Sequence, residues 1–213
     1  MIQLSTRSIL PLFWFALLLT LSNCATDRGR ARTDLSDIGV WQGKVMSVNP
    51  STHYRQVANV SWVSDSSRKR MRVDVYALFD IPIATFLKDG DSHHLWLFME
   101  KKHYQSQDGR KLFQHLTKLP IDPNVFFELL GPMRVVESLG PSWSCRQEKG
   151  EHQCESGEQS TWLSVHNQQA DERKIKIVRG EKTLQIRVSR SKVGFDQGVF
   201  KPLSTSQFKT IRI

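Results

Sequence analysis

What this chain has little of already excludes several classes. Its 213 residues include three cysteines, 12 glycines and 8 prolines. That is too little cysteine for a disulfide-stapled miniprotein or an array of zinc ribbons, and too little glycine and proline for a collagen-like or low-complexity chain. Common catalytic signatures are missing: there is no G-x-S-x-G elbow, no H-E-x-x-H zinc helix, no P-loop and no dinucleotide fingerprint. The seven histidines are scattered, and the adjacent pair His93 and His94 would point to opposite faces of a strand, unable to share a metal. We therefore expect no enzyme activity, no cofactor and no metal. RRM, zinc-finger and helix-turn-helix patterns are absent too, so the formal net charge of +9 is not read as a nucleic-acid footprint.

What is present is an ordinary apolar fraction, 39%, with 24% charged residues and a mean hydropathy of -0.40, enough to build one core without metal or staples. The apolar residues are most concentrated near the N-terminus. Arg7 is the only charge before residue 24, and a nearly unbroken apolar run from Ile9 to Leu21 follows it. A run of about a dozen residues is short of the ~20 that span a bilayer as a helix, which favours a signal peptide over a permanent anchor. At its end, Leu21-Ser22-Asn23-Cys24 resembles the lipobox of bacterial lipoproteins, with Asn23 where Gly, Ala or Ser is usual. The alternative is an ordinary secretory signal with a chance cysteine. The lipobox implies cleavage before Cys24, acylation of its thiol and attachment to a membrane by several chains. Ala25, not Asp, follows the cysteine, which implies the outer membrane. The organisation expected is a signal peptide over 1–23, an acylated tether over 24–37 and one domain over 38–213.

With Cys24 acylated, Cys145 and Cys154 remain as a pair in an oxidising compartment. The polar stretch between them has Gly150 near its middle, so the two thiols can face each other across a hairpin. A disulfide is the reading adopted, two free thiols the alternative; a metal site with His152 would have only three ligands.

Most of the remaining chain alternates with the period of two expected of strands buried on one face. Such runs occur around Val45, at Ala58-Val60-Trp62, over Met71-Val73-Val75, at Ile175-Ile177 and at Leu184-Ile186-Val188, with a hairpin signal at Arg179-Gly180-Glu181-Lys182. The stretch from His93 to Glu100 is apolar on both faces through Leu95, Trp96, Leu97 and Phe98, so both must be covered. The next thirty residues offer a cover. Leu112, Phe113, Leu116 and Leu119 follow a helical period after Asp108. Asp122-Pro123 then reads as a helix start before Val125, Phe126, Leu129 and Leu130, with Gly131-Pro132 as the stop. The fold expected is mainly β (α+β), a curved antiparallel sheet with two short helices over its open face.

The segment from Met71 to Gly131 resembles the outer-membrane lipoprotein receptor LolB and, more loosely, the superfamily that includes the periplasmic lipoprotein carrier LolA. The residues that carry the likeness are Tyr104 and Asp108, then Leu116-Thr117-Lys118-Leu119-Pro120-Ile121-Asp122-Pro123-Asn124, then Leu129-Leu130-Gly131, with Trp41-Gln42-Gly43-Lys44-Val45 and Val60-Ser61-Trp62 upstream. The insertion bearing Cys145 and Cys154 departs from that pattern. The resemblance implies a half-barrel closed by helices over a hydrophobic cavity for acyl chains, in a monomer that meets lipoproteins or other lipid and a periplasmic lipoprotein carrier. The candidates to line the cavity are Val45, Val60, Trp62, Met71, Val73, Val75, Ile83, Leu95, Leu97, Phe113, Phe126 and Leu130; the alternative is that they are an ordinary packed core. It also implies a protruding apolar loop that meets the bilayer, matched here by Leu78 and Phe79. The Arg68-Lys69-Arg70 run is either a surface for lipid phosphates or a solvated turn. The function expected is an outer-membrane lipoprotein, facing the periplasm, that binds acyl chains of lipoproteins and assists their localisation. The alternative is a structural or envelope-assembly lipoprotein that holds a protein partner.

Overall fold

The alternating runs assemble into one sheet. The computed structural model describes residues 38–52, 54–130, 139, 143–148, 151–157, 161–169, 171–192 and 196–213. The expected signal peptide, Cys24, the tether and the Gly131-Pro132 stop lie outside the described residues. In chain order the strands are β1 (Ile38–Asn49), β2 (Tyr54–Asp65), β3 (Arg70–Tyr76), β4 (Pro82–Asp89), β5 (Ser92–Leu97) and β6 (Lys102–Ser106). Helices α1 (Gly109–Thr117) and α2 (Val125–Leu129) follow. The chain then forms β7 (Trp143–Glu148), β8 (Glu151–Ser156), β9 (Thr161–Gln169), β10 (Glu172–Arg179), β11 (Lys182–Arg190) and β12 (Lys209–Arg212). The sheet order is β12-β6-β5-β4-β3-β2-β1-β11-β10-β9-β8-β7. Two antiparallel meanders, β1 to β6 and β7 to β11, are thus joined where β1 pairs with β11. The architecture is the mainly-β, open, curved half-barrel with short helices that the sequence led us to expect. One pairing departs from it: β12 lies parallel to β6, Lys209 opposite Lys102 through Arg212 opposite Gln105. A parallel neighbour requires a crossover, and the chain after β11 provides it.

Register places the inward side chains in rungs across the strands. Ser47 stands between Leu184 and Gln56, Val45 between Ile186 and Ala58, and Gly43 between Val188 and Val60. Val60 continues to Val75, and Trp62 to Val73 and Phe86. Gly43 has no room for a side chain: a Cβ there would lie 2.0 Å from the Arg187 carbonyl oxygen.

Asp108 caps α1, its carboxylate accepting from the N–H groups of Arg110 (3.0 Å) and Lys111 (3.3 Å). Gly109 lets this first turn lie on the His93 ring, which a Cβ would strike at 2.5 Å. The second helix starts two residues later than its sequence signal. Asp122 takes the Asn124 N–H (2.8 Å) as an Asx turn, and the first helical turn closes through the carbonyls of Asp122, Pro123 and Asn124. Its C-terminal end is held by two buried donors on the sheet. Trp41 Nε1 donates to the Leu130 carbonyl (2.8 Å) and Arg173 Nη1 to that of Leu129 (3.3 Å), with the guanidinium 5.1 Å from the Trp41 ring. Burial pushes the Arg173 pKa down, with Arg190 adding to the shift, and the helix-end carbonyls favour its positive charge.

The two faces of β5 are covered by different parts of the chain. On one, Leu95 joins the large core with Leu112, Phe113 and Phe126. On the other, Trp96 joins Val63, Leu87 and Phe200. The expectation that the two helices supply the cover therefore holds for one face only; the segment from 196 to 208 supplies the other. It is tied down by Arg72, which donates to the Val199 carbonyl (2.9 Å) while paired with Asp74 (2.8 Å), and by Arg70 stacked 4.6 Å from the Phe200 ring. Cys145 and Cys154 stand opposite each other on β7 and β8 and form a disulfide.

Candidate functional site

The apolar rungs of β1, β2, β3 and β11 are not filled at one end of the sheet. A cavity of about 180 Å³ lies there, between the sheet and the last turn of α1. Its walls are built strand by strand: Val45 and Ser47 from β1, Gln56, Ala58, Val60 and Trp62 from β2, Val73 and Val75 from β3, Ile83 from β4, Leu184 and Ile186 from β11. Phe113, Leu116, Thr117 and Lys118 close it from above. Within each strand these residues are two apart, so the pleat alone puts them on one face. The inner end is a cluster of rings. Trp62 lies 4.7 Å from Phe126 and 6.4 Å from Phe113, and Phe113 lies 5.2 Å from both Phe126 and Phe86. Trp62 Nε1 is buried without an acceptor among the described residues.

Helix α1 stops over this cavity for a local reason. The Thr117 hydroxyl donates to the Phe113 carbonyl (2.9 Å) and accepts from the Leu119 N–H (3.2 Å), and Lys118 turns left-handed with φ 62. Glycine or asparagine is the common choice at that position. Lys118 thus borders the cavity beside the polar residues Ser47, Gln56 and Thr117.

Seven of the twelve expected lining residues do line the cavity: Val45, Val60, Trp62, Val73, Val75, Ile83 and Phe113. The other five do not. Met71 and Leu95 on the strands, and Phe126 and Leu130 of α2 and its end, are fully buried in the core, Phe126 within the ring cluster, and Leu97 packs against that core from its edge. Where α2 meets the sheet the side chains interlock and leave no space. Sequence reasoning missed Ala58, Leu184, Ile186 and Leu116. The alternation of Leu184 and Ile186 was visible, but nothing local shows that β11 pairs with β1.

Leu78 and Phe79 form the turn between β3 and β4, closed by the Ala77 N–H on the Ile81 carbonyl (2.8 Å). Both are exposed, Leu78 at 77% and Phe79 at 94%, and Phe79 has φ 61, a strained conformation for a bulky side chain. The turn springs from the strands that contribute Val75 and Ile83 to the cavity. The next turn beside it, joined by the Phe98 N–H on the Ile83 carbonyl (3.0 Å), carries Met99 at 81% exposure. The Arg68-Lys69-Arg70 run lies in the β2–β3 turn at the other end of these strands. There Asp65 accepts from Arg70 Nη2 (2.9 Å), from Ser67 Oγ (2.7 Å) and from the Arg68 N–H (3.1 Å). Burial alone would raise the Asp65 pKa; these bonds together hold it below the usual carboxylate value.

On the strap-covered face, His94, Trp96 and His103 stack with ring centres 4.7 to 5.4 Å apart. His94 Nδ1 and His103 Nε2 share a hydrogen bond (3.0 Å), and His103 Nδ1 meets Thr210 Oγ1 of β12 (3.2 Å). Burial pushes both pKa values down; Asp89 opposes it at His94 and His94 adds to it at His103. His93, on the opposite face beneath α1, is lowered by burial and then by Lys88. Among the described residues no group of three or more His, Cys, Asp or Glu side chains is arranged to hold a metal, and no helix is long and apolar enough to cross a membrane.

Neither a protein-family model nor a curated protein matches this chain. Among solved structures it is similar to an uncharacterized conserved protein from Thermus thermophilus, with a TM-score of 0.40 and 10% identity over 84% of this chain and 92% of that one.

Proposed function

We propose that this protein is an outer-membrane lipoprotein, anchored through Cys24, that takes acyl chains of lipoproteins or other lipids into its half-barrel and assists their insertion into the membrane. The observation that carries the reading is the shared wall. Val75 and Ile83 line the apolar cavity and directly flank the turn that exposes Leu78 and Phe79. An occupant and a membrane-seeking tip are thereby held at one end of the sheet. Its action is binding and release, without chemistry; it works as a monomer supplied by a periplasmic lipoprotein carrier. The test is to recover the protein from membranes and analyse it for co-purifying acyl chains by mass spectrometry, beside a Phe79→Glu variant. Phe79 is almost wholly exposed, so this change is expected to cost within about half a kcal/mol. The variant should still carry lipid yet fail to deliver it into liposomes, since a carboxylate does not enter the acyl region. A protein empty of lipid, or normal delivery by the variant, counts against the reading.

One observation favours the second reading, an envelope-assembly lipoprotein that holds a protein partner. Four expected lining residues are packed solid, and the space left is close to that of an engineered ~150 Å³ cavity that admits benzene, well below the ~300 Å³ of a usual ligand pocket. Absence of lipid together with a stable protein partner on Leu78, Phe79 and Met99 would select it.

A further inference from the structure

Three hollows meet at one side chain. Lys118 borders the apolar cavity. It also borders a polar hollow shared with Asn49, Gln114, Arg179 and Lys182, and a second shared with Lys111, His115 and Lys182. Lys118 and Lys182 thus border both polar hollows, with Arg179 and the acid Glu181 at the first and Lys111 at the second. None of the four cations forms an ion pair among the described residues, although four such pairs occur elsewhere in the sheet. Lys118 Nζ donates to the His115 carbonyl (3.2 Å), which leaves two of its three donors. With Glu181 lining the hollow and Glu100 acting on Lys118, the four cations still outnumber the acids and leave a positive field there.

The backbone at Lys118 shares a left-handed conformation with the turn residues Lys69 and Lys101. The residue is left-handed, with φ 62, at a helix end where glycine or asparagine fits without strain. A lysine there adds local strain and charge repulsion, and its burial gives nothing back, since the side chain is exposed.

We propose that the cavity takes an amphiphile with an anionic head, a carboxylate or a phosphate, held by Lys118, Lys182 and Arg179, while a single alkyl chain lies along Val45, Ala58 and Ile186. This rests on the lipid-uptake reading and narrows it. The cavity volume of about 180 Å³ admits one chain segment at a time, and the head remains in the polar hollow outside. Among the lipids of that reading the site favours a fatty acid or a lysophospholipid, since the acylated amine of a triacylated protein terminus offers these cations no charge.

The experiment uses the full chain in phosphatidylcholine nanodiscs, with doxyl-labelled stearic acid and its uncharged methyl ester as probes. Quenching of tryptophan fluorescence is read, and the part that disappears in Trp62→Phe is the cavity signal. The acid should bind roughly tenfold more tightly than the ester, and added salt should narrow the gap. Lys118→Asn keeps a residue suited to the left-handed turn while removing the charge. Combined with Lys182→Gln, it should bring the acid to the affinity of the ester, both measured on the same double variant. Displacement by lysophosphatidate points to a phosphate head and displacement by laurate to a carboxylate; either supports the proposal. Equal binding of acid and ester by the unaltered chain, or a gap that persists in the double variant, overturns the anionic site while the apolar cavity stands. Absence of cavity quenching by both probes overturns the lipid reading and this proposal with it.

Discussion

On one face of the sheet Trp62, Phe86 and Leu95 meet α1 and α2; on the other Val63, Leu87 and Trp96 meet the strap over 196–208, in which Phe200 ends a single 3-10 turn (Gln197–Phe200). The two covers behave differently because of their shapes. A helix with its side chains is a cylinder about 10 Å across, and it stands off a curved sheet. Where α1 ends at Thr117, the rungs of Val45, Ala58 and Ile186 continue beyond it, and the apolar cavity is what remains. The strap is one 3-10 turn followed by irregular chain, and it sets Val199, Phe200, Leu203 and Phe208 directly against that face. It adds specific bonds, Arg72 to the Val199 carbonyl and Arg70 on the Phe200 ring. The difference teaches that the cavity belongs to how the helix stops.

Phe126→Ala should break the helix-covered face most severely. Phe126 is fully buried against Trp62 and Phe113, and truncation of such a ring costs about 4 kcal/mol in urea unfolding. Uptake of a neutral alkyl probe should rise as the cavity opens inward. A loss below about 1 kcal/mol would mean that the ring cluster does not seat α2.

Phe200→Ala addresses the other cover. The expected loss is about 3 kcal/mol, with Trp96 becoming accessible to acrylamide and probe uptake unchanged. Altered uptake would show that the two faces are not separate.

The third and smallest effect is a pH dependence that loads mainly on the strap side. His94 and His103 in that stack, and His93 beneath α1, have folded-state pKa values below their ordinary 6.5. The unfolded chain then binds more protons than the folded one just below that value. Stability is therefore full above 6.5 and falls as the pH drops through it. Melting temperature followed from about pH 7.5 to pH 5 should decline, and a His94→Gln/His103→Gln variant should flatten most of the slope. An unchanged slope in that variant would assign the effect to His93.

The strands were legible wherever one face is buried, because period two is written directly into Val45, Val60, Val73, Ile175 and Ile186. The helix over 109–117 was legible through Asp108, whose carboxylate has the N–H groups of the first turn within reach. The turn at Leu78 and Phe79 was expected through the family resemblance, by its place after the strand ending at Ala77, and both side chains are exposed there. The cover over Trp96 was not legible. Phe200 lies more than a hundred residues away in sequence, and no periodicity marks a strap.

Local sequence sufficed for which residues alternate, where α1 begins and that Cys145 can meet Cys154, because each depends on neighbours within a few positions. Tertiary structure alone decided that β11 lies beside β1 and β12 beside β6, and so that Leu184 and Ile186 join Val45 around a cavity while Leu95 and Leu130 become solid core. It also brought Arg179 and Lys182 to the same opening as Lys118. Pairing between distant strands is selected by the fit of whole faces, and whether a rung is filled or empty depends on what lies above it. Neither is a property of any local stretch of chain.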